Sequence, residues 1–351
     1  MASPLAIVVG LCAHGVSICR SLSRAGHKVV GIEANQRLPG LHTNSADVVL
    51  VDDINGKGLI DSLVRLSPEL SSGGRPVLFL TNDRMVAIVA HHYKVLRDHY
   101  RLSWGDAREA LLPLLGKEAI EERCSATGLR YPKTCVVADI ESITKVSQIL
   151  SFPIIFKPNQ PLSPYKTLVV QNNDQLQAVT STIAGALPAI AQEFIPGDDS
   201  TIRFAALYLN HGDVVARFEG RKLSSRPMGH TTAAIAETND DVHELAKRFF
   251  SGLRLSGPVS LELKQAPDSS LWVIEPTVGR TDFWVGLCSR DGVDLPQIEY
   301  IDQVFKQRGE HRKQLDRTLW INEEREPAVL ARLAIEHPAS LRGRRIVGVF
   351  F

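Results

Sequence analysis

The chain has 351 residues, 44% hydrophobic and 23% charged, with 40 Lys and Arg against 39 Asp and Glu for a formal net charge of +1. This composition excludes a disordered or collagen-like chain, and the balance of charge leaves no bulk excess with which to grip a nucleic-acid backbone or an anionic membrane. At roughly 150 residues per domain the length predicts two or three domains. Cys12, Cys19, Cys124, Cys135 and Cys288 form no C-x-x-C pair, which argues against a zinc site or a disulfide framework and predicts free thiols in a reducing, cytoplasmic setting. No apolar run approaches the roughly 18 residues of a membrane span, so a soluble protein is expected.

The first hundred residues alternate β-branched runs with helical patterns. Strands are expected at Ala6 to Val9, Val29 to Ile32, Val48 to Val51 and Val77 to Leu80, and such alternation implies a parallel sheet. Val16, Cys19 and Leu22 fall at helical spacing before Gly26, which completes a βαβ unit. Gly10 and Gly15 bracket the first turn and Glu33 follows the second strand, so a nicotinamide or flavin site has to be weighed. The turn Gly10-Leu-Cys-Ala-His-Gly15 lacks the middle glycine that admits a pyrophosphate, which favours a structural turn or a helix end facing a carboxylate.

From Asp106 the pattern becomes helical, passing Lys117 and stopping at Gly128. Asp139 is placed to cap a helix through Ile143, Val146 and Ile149, before the strand Ile154-Ile155-Phe156-Lys157-Pro158. A second unit is expected from near Ala191, with strands Ile202 to Leu209 and Val214 to Phe218 and an amphipathic helix through Val242, Leu245, Ala246, Phe249 and Phe250. Strands Val259 to Leu263 and Leu271 to Ile274 then form a hairpin around Pro267-Asp-Ser-Ser270. Beyond Tyr300 come a charged stretch, a short helix near Val329 to Leu333 and a terminal apolar run from Ile346.

That hairpin carries Glu262 in Leu-Glu-Leu and Glu275 in Val-Ile-Glu. A carboxylate inside an apolar strand is costly unless a cation compensates, and paired carboxylates are the hard oxygen ligands that Mg²⁺ takes together with substrate phosphates. Solvent-facing acids on half-buried strands are the other reading of the same pattern. Lys117 and Lys157 are point charges of the kind that hold phosphate, although a single lysine is most often a solvated surface residue. The order is lysine, lysine, the segment Gln192-Glu-Phe-Ile-Pro-Gly197, then acid and acid.

This order, with Phe152-Pro-Ile-Ile-Phe-Lys-Pro158, Gln192-Glu-Phe-Ile-Pro-Gly197 and Ile274-Glu-Pro-Thr277, resembles the ATP-grasp superfamily of carboxylate-amine ligases over roughly residues 5 to 300. The resemblance implies a mixed α/β and α+β chain: a Rossmann-like domain over 1–105, a small ATP-grasp lobe over 106–190, a C-terminal lobe over 191–305 and an extension over 306–351. It implies ATP as substrate and Mg²⁺, or Mn²⁺, as the ion. Lys117 and Lys157 would hold phosphates, with Ser163 or Lys166 supplementing them. Gln192, Glu193, Phe194 and Ile195 would line the adenine, the backbone of Glu193 and Ile195 reading its edge, while Asp199 would take the ribose. Glu262, Glu275 and Thr277 would hold the metal; Lys222 would approach the γ-phosphate, and Arg280 the acyl-phosphate oxygens.

Three departures from the family pattern stand out. Thr277 occupies the usual asparagine position, Gly279 stands where an arginine is common with Arg280 following it, and the loop after Lys157 carries Pro161 and Pro164, which donate no backbone N–H. The expected activity is an ADP-forming ligation of a small-molecule carboxylate to an amine through an acyl phosphate, with no side-chain nucleophile required. The alternatives are a nucleotide-binding relative without turnover, and an NAD(P)-dependent enzyme built on the first domain. His14, Arg84, Arg203, Arg226 and Asp282 are candidates for the substrate pocket, with Arg203 and Arg280 favoured for an anionic substrate. A homo-oligomer is compatible with the sequence but no heptad run marks one.

Overall fold

The computed structural model describes residues 3–116, 118–158, 165, 167–225, 230–307 and 313–348. Strands β1 (Ala6–Val9), β2 (Val29–Glu33), β3 (Asp47–Leu50) and β4 (Val77–Leu80) form a parallel sheet in the order β3-β2-β1-β4. Their ranges match the expected strands within a residue, because each is a short apolar run bounded by turn residues. The first turn needs glycine at Gly15, where a Cβ would lie 1.8 Å from the Gly10 carbonyl oxygen. The tight turn therefore serves packing of the helix Ala13–Arg24 against the sheet.

A second sheet is antiparallel, with β5 (Thr134–Val137), β6 (Ile154–Pro158), β7 (Leu168–Val170) and β8 (Ala189–Glu193) in the order β5-β8-β6-β7. Its helix Ile140–Ile149 begins in a capping box in which Asp139 accepts from Ser142. Ile143 and Val146 of that helix join Leu176 and Ile183 of the helix Asn173–Ala184 over Ile154 and Phe156. After β8 the chain crosses at Phe194–Asp198 to the third sheet.

That sheet holds β9 (Ile202–Asn210), β10 (Asp213–Ser225), β11 (Thr231–Ala236), β12 (Gly257–Gln265), β13 (Leu271–Val278), β14 (Thr318–Ile321) and β15 (Arg345–Gly348), ordered β13-β12-β9-β10-β11-β14-β15. Strand β10 runs past Phe218, where it was expected to end, because Glu219 to Lys222 pair with β9 on one side or β11 on the other. One face of the sheet packs Ala205, Leu207, Leu261 and Leu263 against Phe249 of the helix Asp240–Phe250, in a core continuous with Val9, Leu80 and Val86 of the first unit. The first and third sheets therefore share a single apolar core, which fixes the opposite face as a floor beside the first unit.

Candidate functional site

Glu262 and Glu275 are direct cross-strand partners on β12 and β13, and Glu262 is also opposite Phe204 on β9. Partners so paired point to the same face, with Cβ atoms about 5 Å apart. Strict alternation would have put Val273 and Glu275 together, yet Val273 lies in the shared core and Glu275 is exposed. The resolution is a β-bulge: Leu263 pairs with Val273 and Glu262 with Glu275, leaving Ile274 as the extra residue that resets the alternation. A strand of apolar residues thus presents one carboxylate on the face that carries Glu262.

Across this face the Lys222 ammonium stands 3.4 Å and 3.5 Å from the two oxygens of Glu262, with the two side chains 5% and 17% exposed. On the opposite lobe, Lys157 donates to Gln192 Oε1 at 2.8 Å, and Gln192 Nε2 donates to Thr134 Oγ1 at 2.9 Å, so the buried amide aims the lysine. Glu193 ends β8, and its N–H is committed to the Lys133 carbonyl at 2.9 Å. Phe194 is half-buried, Ile195 buried, and Asp199 opens the short helix before β9. Lys117, Ser163, Lys166 and Arg226 lie outside the described residues.

The segment after β13 carries a buried polar network. Thr277 Oγ1 donates to Asp282 Oδ2 at 2.9 Å, leaving its lone pairs for a cation or a water. Arg280 is 9% exposed and grips Asp83 of the first unit with two donors, Nε to Oδ1 at 2.7 Å and Nη2 to Oδ2 at 3.1 Å. Its Nη1 lies 3.7 Å from Asp282. Burial alone would lower the Arg280 pKa, but Asp83 and Asp282, with Glu275 contributing, hold it above its ordinary value. Burial likewise pushes the Asp282 carboxyl up, and Arg280 with the Phe283 N–H holds it below the usual range.

His14 is fully buried between the first unit and this segment, with Nδ1 3.3 Å from the Thr81 carbonyl and Nε2 2.9 Å from Thr281 Oγ1. A carbonyl only accepts, so the proton belongs on Nδ1 and the threonine hydroxyl donates to Nε2. Burial, helped by Arg280, lowers the pKa of this imidazole to about 4. It is neutral at physiological pH.

The structure separates Arg203 from the favoured pair. Arg203 is opposite Leu263 and so faces away from Glu262, where it bonds the Ser200 carbonyl and Gln265 Oε1 and lies 3.6 Å from Glu237. Arg84 is exposed on the helix Asp83–His91. Glu33, the acid that suggested a dinucleotide, is 2% exposed and spent on backbone: Oε2 accepts from Leu11 N–H, and Oε1 from Ala34 and Asn35. Asp83 went unremarked in the sequence, as did Lys264, because neither lies in a motif and their partners come from distant segments.

The donor set fits a small divalent cation. Two carboxylates share one face, and Mg²⁺ takes one or two protein carboxylates and completes its shell from phosphates and water.

No protein-family model matches the chain. In sequence it is similar to the D-aspartate ligase of Enterococcus faecium, 23% identical over 327 residues that cover 85% of this chain and 76% of the relative. It is also similar to the carbamoyl phosphate synthase large chain of Rubrobacter xylanophilus, 22% identical over 179 residues, 49% of this chain and 16% of the relative. Among solved structures, the N5-carboxyaminoimidazole synthetase of Staphylococcus aureus complexed with ADP superposes with a TM-score of 0.72 at 15% identity, covering 98% of this chain and 91% of that one. The L-amino acid ligase of Bacillus licheniformis gives a TM-score of 0.66 at 16% identity, over 87% and 75%. The chain has the ATP-grasp fold, as its motifs implied. No helix among the described residues is long and apolar enough to cross a membrane.

Proposed function

We propose that this protein is an ADP-forming carboxylate-amine ligase. The observation that carries the reading is the bulge-aligned pair Glu262 and Glu275 sharing one face with Lys222, in a fold whose solved examples include an ADP complex. Glu262 and Glu275, with Thr277 beside them, would hold Mg²⁺ or Mn²⁺, which supplies charge neutralisation at the phosphates. Lys117 and Lys157 take the phosphates from the small lobe. Phe194, the Glu193 carbonyl and the Ile195 N–H take the adenine, since the Glu193 N–H is spent on Lys133. Asp199 takes the ribose. A carboxylate oxygen of the first substrate attacks the γ-phosphorus, the bond to the β-bridging oxygen breaks, and ADP leaves. The amine nitrogen then adds to the acyl-phosphate carbonyl, inorganic phosphate leaves with the C–O electron pair, and the nitrogen gives up a proton. Positioning and charge do this work, and no protein nucleophile is required.

Arg280 and Asp282, fixed between the acids and the first unit, form the wall where the carboxylate enters. The likeness to a D-aspartate ligase and an L-amino acid ligase directs the search to amino acids as the amine or the acid. The test is hydroxylamine trapping with ATP, Mg²⁺ and a panel of amino and hydroxy acids, D-aspartate included. An acid-dependent hydroxamate formed with stoichiometric ADP supports the proposal. Nucleotide binding without ADP formation across the panel refutes it in favour of a non-catalytic nucleotide binder.

A further inference from the structure

Lys264 has no part in the assignments above, yet its surroundings are those of a built contact. It lies two residues beyond Glu262 on β12, so alternation puts both side chains on the same face of the sheet. Its ammonium donates to the Gly197 carbonyl at 2.7 Å and stands 5.0 Å from the centroid of the Phe194 ring. Both partners belong to the crossing segment between the second and third sheets, which has no strand pairing of its own and turns at Gly197 with φ +121°. The ammonium thus joins this crossing segment to the strand that carries Glu262.

We infer that Lys264 is a positioning residue of the nucleotide subsite: it fastens the segment Phe194–Asp199 to the strand that carries Glu262. The inference rests on the nucleotide reading under Proposed function. Without the tether, the adenosine end of the subsite moves independently of the phosphate end, because they sit on different sheets. Asp199 closes the same segment, so its contact with the ribose depends on the same tether.

The experiment is calorimetric titration of the full chain with ADP and with 2′-deoxy-ADP, in the presence of Mg²⁺. Wild type is expected to prefer ADP. Lys264→Met is expected to bind ADP at least tenfold more weakly and to lose most of that preference, while Lys264→Arg, which keeps a donor for the Gly197 carbonyl, retains it. In an Asp199→Asn background, Lys264→Met should change the preference no further. Thermal melting checks that each variant is folded; if Lys264→Met is not, Lys264→Gln is read by the same criteria. Wild type that binds neither nucleotide overturns the nucleotide reading itself. Wild type that binds both equally, or a folded variant that weakens both by one common factor or neither, overturns the role of Lys264.

Discussion

Glu262→Gln separates the electrostatic work of this carboxylate from its work in the reaction. Two unit charges 3.4 Å apart attract by about 5 kcal/mol at an effective dielectric constant of about 20, and the cost of desolvating both offsets much of that. The amide keeps an acceptor for the Lys222 ammonium but removes the countercharge from a lysine only 5% exposed. The expected net loss of folding stability is about 2–3 kcal/mol. Urea unfolding should show it as a lower midpoint at unchanged slope. ADP formation should fall by at least about 100-fold, about 2.7 kcal/mol of barrier, through loss of a metal ligand.

Glu275→Gln is the control that makes the result legible. Glu275 is exposed, so its neutralisation should leave stability within about 0.5 kcal/mol while ADP formation falls as far. Adding Lys222→Met to Glu262→Gln should restore most of the lost stability and none of the turnover, since it removes the stranded cation. Unchanged urea midpoint and turnover in Glu262→Gln would refute both the ion pair and the metal role. Lost stability with normal turnover would refute the metal role alone.

Asp83→Asn takes the bidentate carboxylate from buried Arg280; because Asp83 is half exposed and Asp282 remains, the expected cost is about 1–2 kcal/mol by urea unfolding, with a larger fall in ADP formation than any other exposed residue of that helix gives. Glu299, fully buried with Ser103 Oγ donating to it at 2.5 Å, has its pKa raised by burial from 4.5 to about 8. A raised acid stabilises the fold less as pH climbs from about 4.5 to 8, so Glu299→Gln should gain on wild type by up to about 1.4 kcal/mol per pH unit in that window. His14 has the reverse sense: its folded pKa of about 4 lies below the ordinary 6.5, so wild type should lose stability as pH falls from 6.5 to 4, and His14→Gln should lose less over the same range.

The strands of the first sheet were legible because each is an uninterrupted apolar run, and Lys157 and Glu262 were legible because a charge inside such a run demands a reason. Three things were hidden. The bulge at Ile274 depends on pairing with β12, and the string Val-Ile-Glu alone shows no break in period. The partner that positions Arg280 was hidden because Asp83 is 197 residues away. Arg203 looked like an active-site cation because its residue type is visible and its side of the sheet is not; Leu263 opposite it decides that. Glu33 shows the same limit, since an acid after a second strand reads as a ribose contact until backbone N–H groups are found to fill both of its oxygens.

The displaced arginine finds its explanation in packing between units. At Gly279 the chain turns with φ +72°, and a Cβ there would lie 2.9 Å from Val86 Cγ1 and 3.1 Å from Leu111 Cδ1. An arginine at this position would be strained in backbone conformation and crowded by these side chains. Val86 and Asp83 belong to one helix of the first unit, so the contact that forbids a side chain at 279 also delivers the carboxylate that receives Arg280. The shift by one residue and the partner for the shifted guanidinium have a common cause. That ties the first unit to the cleft chemically as well as through the shared core, because the strand end bearing Glu275 and Thr277 is anchored on one side by its β12 pairing and on the other by Arg280 to Asp83 and His14 to Thr281.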